Sequence, residues 1–200
     1  WKARVPGRGH ASPIVVGDSV YLPTADRERN LQSVLCFDRA NGKQKWEAVV
    51  HRDGIMKKNK KASQASPSVA WDGERLIVNF LNDGAVYATA LDVKADPPKP
   101  LWQTKVSDYV IHQGYGASPN IYQDLVIINA DNKGGGAIVA LNRKSGDEVW
   151  RHDRPKIPNY PSATILHVCG KDQLIMIGCK LVTSLDPLTG ELNWEVDGAT

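Results

Sequence analysis

Chemistry in this chain would need an oxygen-rich loop for a hard cation, a histidine set for a transition metal, an activated nucleophile or a phosphate-cradling glycine loop. Asn129, Asp131 and Asn132 supply ligand types that suit Ca²⁺. Lys133 and Gly134-Gly135-Gly136 follow where further carboxylates would help, so this loop is expected simply to turn a hairpin. His10, His51, His112, His152 and His167 show no metal-ligand spacing. Ser118, in Gly116-Ala117-Ser118-Pro119, lacks the second glycine of a nucleophile elbow. The glycines 134 to 136 lack the Gly-Lys-Ser/Thr ending of a phosphate loop. Of three cysteines, Cys169 and Cys179 flank a hairpin expected to turn at Lys171-Asp172. That turn would set Cys169 opposite Leu174, out of register with Cys179, and no disulfide is expected.

Charge narrows the partners. The formal net charge of +3 comes from 25 Lys and Arg against 22 Asp and Glu, without the clustered basic face of a nucleic-acid binder. The one dense cluster, Lys57, Lys58, Lys60 and Lys61, reads as a solvated loop, with contact to an acidic partner as the alternative. The apolar run Leu125–Ile128 spans four residues, against about 20 for a membrane-spanning helix. The 17 Gly and 12 Pro fall below the roughly 25–30% of low-complexity chains. With 19 Val and 12 Ile against 15 Leu, the β-branched excess predicts an all-β chain.

The elements that would position any site are set by an internal repeat. Asp38, Asn142 and Asp186 are each followed four residues later by Gly (Gly42, Gly146, Gly190) and eight residues later by Trp (Trp46, Trp150, Trp194). A fourth copy, Asp92 to Trp102, lacks the Gly and carries Pro97, Pro98 and Pro100. Ala11-Ser12-Pro13, Ala65-Ser66-Pro67 and Ala117-Ser118-Pro119 mark the other half of the unit, with Pro161-Ser162-Ala163 as an altered version. Ser-Pro suits the first residues of a strand. Gly17-Asp18, Asp72-Gly73, Gln123-Asp124 and Lys171-Asp172 read as two-residue hairpin turns. The repeated Asp or Asn can accept hydrogen bonds from turn N–H groups, and the Gly can take the positive φ that closes the turn.

The unit is thus four antiparallel strands, and the Trp intervals of 45, 56, 48 and 44 fall near the 40–50 residues of a propeller blade. Four blades are expected at about 2–48, 49–104, 105–152 and 153–196. Stacked radially, they would bury both faces of each sheet. Trp46, Trp102, Trp150 and Trp194 are expected to dock between neighbouring blades, each indole N–H finding a backbone carbonyl. Trp71, out of phase, is expected to pack locally.

These motifs resemble the repeat of pyrroloquinoline-quinone-type β-propellers, over the whole span from Trp1 to Trp194. That family holds quinoprotein alcohol dehydrogenases and a non-catalytic lipoprotein propeller of outer-membrane assembly. The resemblance implies rings of seven or eight blades, so the chain is expected to be a segment of a larger ring; a closed four-bladed ring is the alternative. It implies export to the periplasm. For the dehydrogenases it implies Ca²⁺, the quinone, an Asp base, a stacked Trp and adjacent cysteines, but no two cysteines are adjacent here and no residue carries over to that catalytic set.

A binding site, for a protein or a small molecule, would form where loops entering the innermost strands meet at the channel mouth. His10, Gln64, Gly116 and Tyr160 stand two residues before the repeated Ser, with Tyr115 and Asn159 adjacent. They vary while the frame repeats. His10, Gln64, Tyr115 and Tyr160 are therefore the candidate binding residues. The reading is a non-catalytic binding or scaffold module needing no metal or cofactor, its other contacts being the further blades of a longer chain. The alternative is part of a quinone-dependent dehydrogenase whose catalytic residues lie in other blades.

Overall fold

The computed structural model describes residues 1–57 and 59–198; Lys58 of the lysine cluster lies outside the described residues. Four sheets of four strands follow one another along the chain, each ordered as a simple meander. The first holds β1 (Ile14–Val16), β2 (Ser19–Asp26), β3 (Leu31–Asp38) and β4 (Gln44–Arg52). The second holds β5 (Ala70–Trp71), β6 (Leu76–Asn82), β7 (Ala85–Asp92) and β8 (Lys99–Asp108). The third holds β9 (Asn120–Tyr122), β10 (Leu125–Asn129), β11 (Gly136–Asn142) and β12 (Glu148–Arg154). The fourth holds β13 (Thr164–Val168), β14 (Lys171–Gly178), β15 (Leu181–Leu185) and β16 (Leu192–Asp197). All pairings are antiparallel, and no helix occurs among the described residues. The chain is an all-β segment of a propeller.

Every residue of β6 and β10 is buried because alternate side chains serve two different cores. From β6, Leu76, Val78 and Phe80 pack with Val34 and Cys36 of the first blade, while Ile77 joins Val126 and Ile128 of the third. From β10, Ile127 turns the other way, onto Leu174 and Met176 of the fourth. Period-two geometry points these residues to opposite faces, and each buried Leu, Ile or Val contributes about 1.5–3 kcal/mol. The fourth blade shows the contrast. Leu166, Val168, Ile177, Trp194 and Val196 are exposed on it, so the ring is open on that side.

The repeated turn forms as its residues dictate. Oδ1 of Asp38 accepts from Ala40 N–H at 2.9 Å, that of Asn142 from Lys144 at 2.9 Å and that of Asp186 from Leu188 at 2.8 Å. Gly42, Gly146 and Gly190 have φ of 75°, 78° and 72°. Their missing Cβ has a second use, which the spacing alone did not reveal: the Trp of the preceding repeat lies directly on the glycine. A Cβ at Gly146 would stand 2.6 Å from Trp102, and one at Gly42 would fall into the Trp1 ring. The indole N–H of Trp102 donates to Arg143 O at 3.1 Å and that of Trp1 to Arg39 O at 2.7 Å. Each blade also has a register shift just after the residue paired with its Trp, at Cys36/Phe37, Ala90/Leu91, Ala140/Leu141 and Ser184/Leu185. A bulge there sharpens the twist of the outer strand.

Two hairpins differ from expectation. β13 and β14 turn at Cys169-Gly170, not Lys171-Asp172, since Val168 pairs with Lys171. Cys169 and Gly170 both take positive φ, 52° and 77°, as a two-residue turn of primed type requires. Cys169 therefore sits in the turn instead of facing Leu174, and all three cysteines are free. Trp71 pairs with Leu76, so Asp72-Gly73 belongs to a four-residue loop, where Asp72 Oδ1 accepts from Glu74 and Arg75 N–H at 2.8 and 2.7 Å. The preceding segment is matched differently as well, with no residue added: Ser12 to Tyr21, Ser68 to Ile77 and Ser118 to Ile127 are each nine apart, and Tyr21, Ile77 and Ile127 pair with Cys36, Ala90 and Ala140. Around the inner strands Ser12 N–H donates to Ser68 Oγ, Ser68 N–H to Ser118 Oγ and Ser118 N–H to Ser162 Oγ, at 3.0, 3.0 and 2.8 Å. Ser68, not Ser66, takes the repeat position; Ser66 Oγ instead meets Ser63 Oγ at 2.9 Å.

Candidate functional site

Antiparallel meanders put two sets of loops at each end of the blades. The connections from a fourth strand to the next first strand share one end, the upper face, with the hairpins between second and third strands. All four candidate residues lie in those connections. His10 is exposed before β1, and its backbone N–H donates to Ala65 O at 3.0 Å. Gln64 Nε2 donates to Met56 O at 3.1 Å, and its carbonyl accepts from the buried Gln32 side chain at 2.9 Å. Tyr160 is half-buried, its hydroxyl 2.9 Å from His112 Nδ1, and burial raises its pKa.

Tyr115 is buried, and it is built into the frame more than into an open site. Its hydroxyl accepts from Asn79 Nδ2 at 2.7 Å and donates to Asn129 O at 3.0 Å. Its ring meets Tyr109 edge-on, centroids 5.5 Å apart at 80°, the arrangement that ring quadrupoles favour. Burial pushes its hydroxyl pKa well up, so at neutral pH it is a hydrogen-bonding phenol.

The structure brings three of the four together. One cavity of about 170 Å³ opens between Tyr115, Gly116 and Tyr160 on one wall and Lys61, Ala62 and Ser66 on the other. A smaller recess beside it is lined by Gln64, Met56, Lys57, Leu81, Ile111 and again Tyr115. His10 lines neither. The two walls are tied by Asn59 N–H donating to Gln113 O at 2.9 Å, and Gly114 lies so near Ala62 that a Cβ would come within 3.1 Å of its methyl.

The oxygen-rich loop does more than turn a hairpin. Asp131 is buried, and its Oδ1 accepts from Arg154 Nε at 3.2 Å. Oδ2 accepts from Asn159 Nδ2 at 3.2 Å and faces Cys179 Sγ at 3.4 Å. The same guanidinium donates to Thr183 Oγ1 at 2.7 Å and Gly178 O at 3.1 Å in the next blade. Asn132 is equally committed, with Oδ1 accepting from Val110 and Gly134 N–H and Nδ2 donating to Asp108 O. Burial, with the Asp131 charge second, pushes the Cys179 thiol up to about 12. This thiol stays protonated and unreactive. Among the described residues no group of three or more His, Cys, Asp or Glu could hold a metal ion. Sequence reading missed Arg154 because nothing in its spacing marks it. The one available signal was Asp131 itself, an acid following the apolar β10.

The family profile described as "Outer membrane protein assembly factor BamB" matches residues 1–95 and again residues 61–199. Among solved structures, BamB from Moraxella catarrhalis superposes with a TM-score of 0.68 at 14% identity, covering 99% of this chain and 54% of that one. The quinohemoprotein alcohol dehydrogenase of Comamonas testosteroni gives 0.70 at 16% identity, covering 97% and 35%. A europium-containing methanol dehydrogenase gives 0.57 at 14% identity, covering 96% and 51%. At such identities the likeness is one of fold, and this chain spans about half the length of the BamB and methanol dehydrogenase structures. No curated protein sequence matches significantly. With both halves of the repeat array matched, the chain belongs to the pyrroloquinoline-quinone-type β-propeller family that the BamB profile describes.

Proposed function

We propose that this chain is a binding and scaffold segment, without catalytic residues of its own, in an exported bacterial propeller protein that works in the periplasm. The carrying observation is the contrast between its two kinds of upper-face group. The polar groups of the Asn129–Asn132 loop are consumed in holding blades together, whereas the Tyr115 and Tyr160 side chains line a cavity of about 170 Å³ that opens at the surface. A rigid frame carrying variable loops is the usual arrangement of a recognition surface. The location in the periplasm rests on the family alone.

The test uses the full-length protein. Substitutions on the upper face (Tyr160→Ala, Lys61→Glu) are expected to abolish capture of a specific envelope protein, while lower-face substitutions such as Asp124→Lys leave it intact. Dye-linked alcohol oxidation appearing on addition of pyrroloquinoline quinone and Ca²⁺ would instead make the chain part of a dehydrogenase.

A further inference from the structure

Resting on that reading of the upper face, we propose that the furrow between the 53–69 and 109–119 connections takes an extended acidic peptide of a protein partner, seated by one apolar side chain. Size argues for a side chain. About 170 Å³ is below the roughly 300–1,000 Å³ of small-molecule and cofactor sites, but it suits a single Phe or Leu. The walls are apolar where that side chain would rest, with the Tyr115 and Tyr160 rings and Ala62 around the cavity; Met56, Leu81 and Ile111 close a recess of about 10 Å³ behind it, too small for a side chain.

Charge argues for acidic flanks. Lys57 and Lys61 stand in these walls, Lys60 is exposed next to Lys61, and no Asp or Glu lines either recess. Among the described residues these three lysines have no ion-pair partner, as holds for other surface cations such as Lys133 and Lys156; what distinguishes them is that they stand together beside the cavity with no carboxylate in its lining. A cluster of unpaired cations beside an apolar pocket attracts carboxylates and orients them. The furrow is also preformed. The Asn59 to Gln113 hydrogen bond joins its walls, and Tyr109 Oη donates to Gly114 O at 2.8 Å behind one of them. Less ordering is then lost on binding.

Fluorescence polarisation with the full-length protein tests this, using labelled pentapeptides with a central Phe flanked by Glu, by Ser or by Lys. The Glu-flanked peptide is expected to bind, less tightly as salt rises. Replacing its Phe with Ser should weaken it about tenfold or more, as should the K57E/K60E/K61E triple reversal. Ala62→Trp, which fills the cavity without changing charge, should do the same, with circular dichroism confirming that each variant folds. Equal binding of all Phe peptides, or binding untouched by the charge reversal, overturns the acidic class and leaves the upper face as a recognition surface. No peptide binding overturns the proposal. If upper-face substitutions also leave envelope-protein capture intact, the recognition reading falls with it.

Discussion

Trp150 lies flat on Gly190 of the next blade, so close that a Cβ at Gly190 would stand 2.5 Å from Cε3 of the indole. The indole N–H donates to Pro187 O at 3.2 Å, and the ring is 7% exposed. Trp150→Ala should cost about 3–5 kcal/mol, as truncation of a buried aromatic does. Gly190→Ala should also destabilise, because φ there is 72° and the methyl would enter the ring. Trp194, in the same repeat position, is 41% exposed and its N–H returns to Gln173 Oε1 within its own blade. Trp194→Ala in this segment should cost less than about 1 kcal/mol. Urea unfolding of the three variants checks the order, and equal losses at Trp150 and Trp194 would contradict the docking role.

Arg154 and Asp131 form an ion pair whose side chains are 1% and 0% exposed. Removing one partner strands the other charge in a dry interface, at about 3–5 kcal/mol. Arg154→Met and Asp131→Asn should each lower the unfolding midpoint strongly, and the double variant should lose less than the two losses added. Additive losses would show that the pair does not act as a unit.

The frame was legible in the sequence because it repeats: Asp38, Asn142 and Asp186 announce their turns, and a Trp follows each at fixed spacing. The inner strands were harder to place where loop length varies. Asp72 stands four residues after Ser68, where Asp18 and Asp124 stand six after Ser12 and Ser118, so matching on the turn Asp chose Ser66, and no local rule registers that slip. The candidate site was legible only as a location. Loop variability pointed to the connections, but the burial of Tyr115 follows from partners far along the chain, Asn79 and Asn129. The Asp131–Arg154 pair joins residues 23 apart and reaches a third element, Gly178.

That pair also bears on metal binding. Ligands already hydrogen-bonded inside the fold must be pulled free before they can coordinate, and a ligand stabilises only by its free energy of binding to the native state. Millimolar Ca²⁺ or its removal by a chelator is therefore expected to leave the melting temperature unchanged in this segment. A clear rise with Ca²⁺ that Asp131→Asn abolishes would show that the loop opens to hold the ion.

His51 supplies the pH dependence. It is 9% exposed, its Nε2 has no partner among the described residues, and its ring packs on Phe80 and Tyr87 with centroids 6.1 and 5.4 Å away. Burial lowers its pKa from 6.5 to about 4, so between those values the unfolded chain takes up a proton that the folded chain refuses. Stability is then fully present above pH 6.5, falls as pH drops through the window by up to about 1.4 kcal/mol per unit, and levels off below about 4 for this group. Asp172, held below the usual carboxylate range by the Tyr122 hydroxyl and then by His167, is shifted in the same direction, with its window at lower pH. Its contribution is present above the ordinary carboxylate pKa and is lost only at lower pH. His51→Gln should flatten the stability profile between pH 6.5 and about 4 while leaving the acid limb in place. Chemical unfolding of both proteins at a series of pH values measures this, and superimposable slopes in that window would mean that the imidazole is protonated in the folded chain.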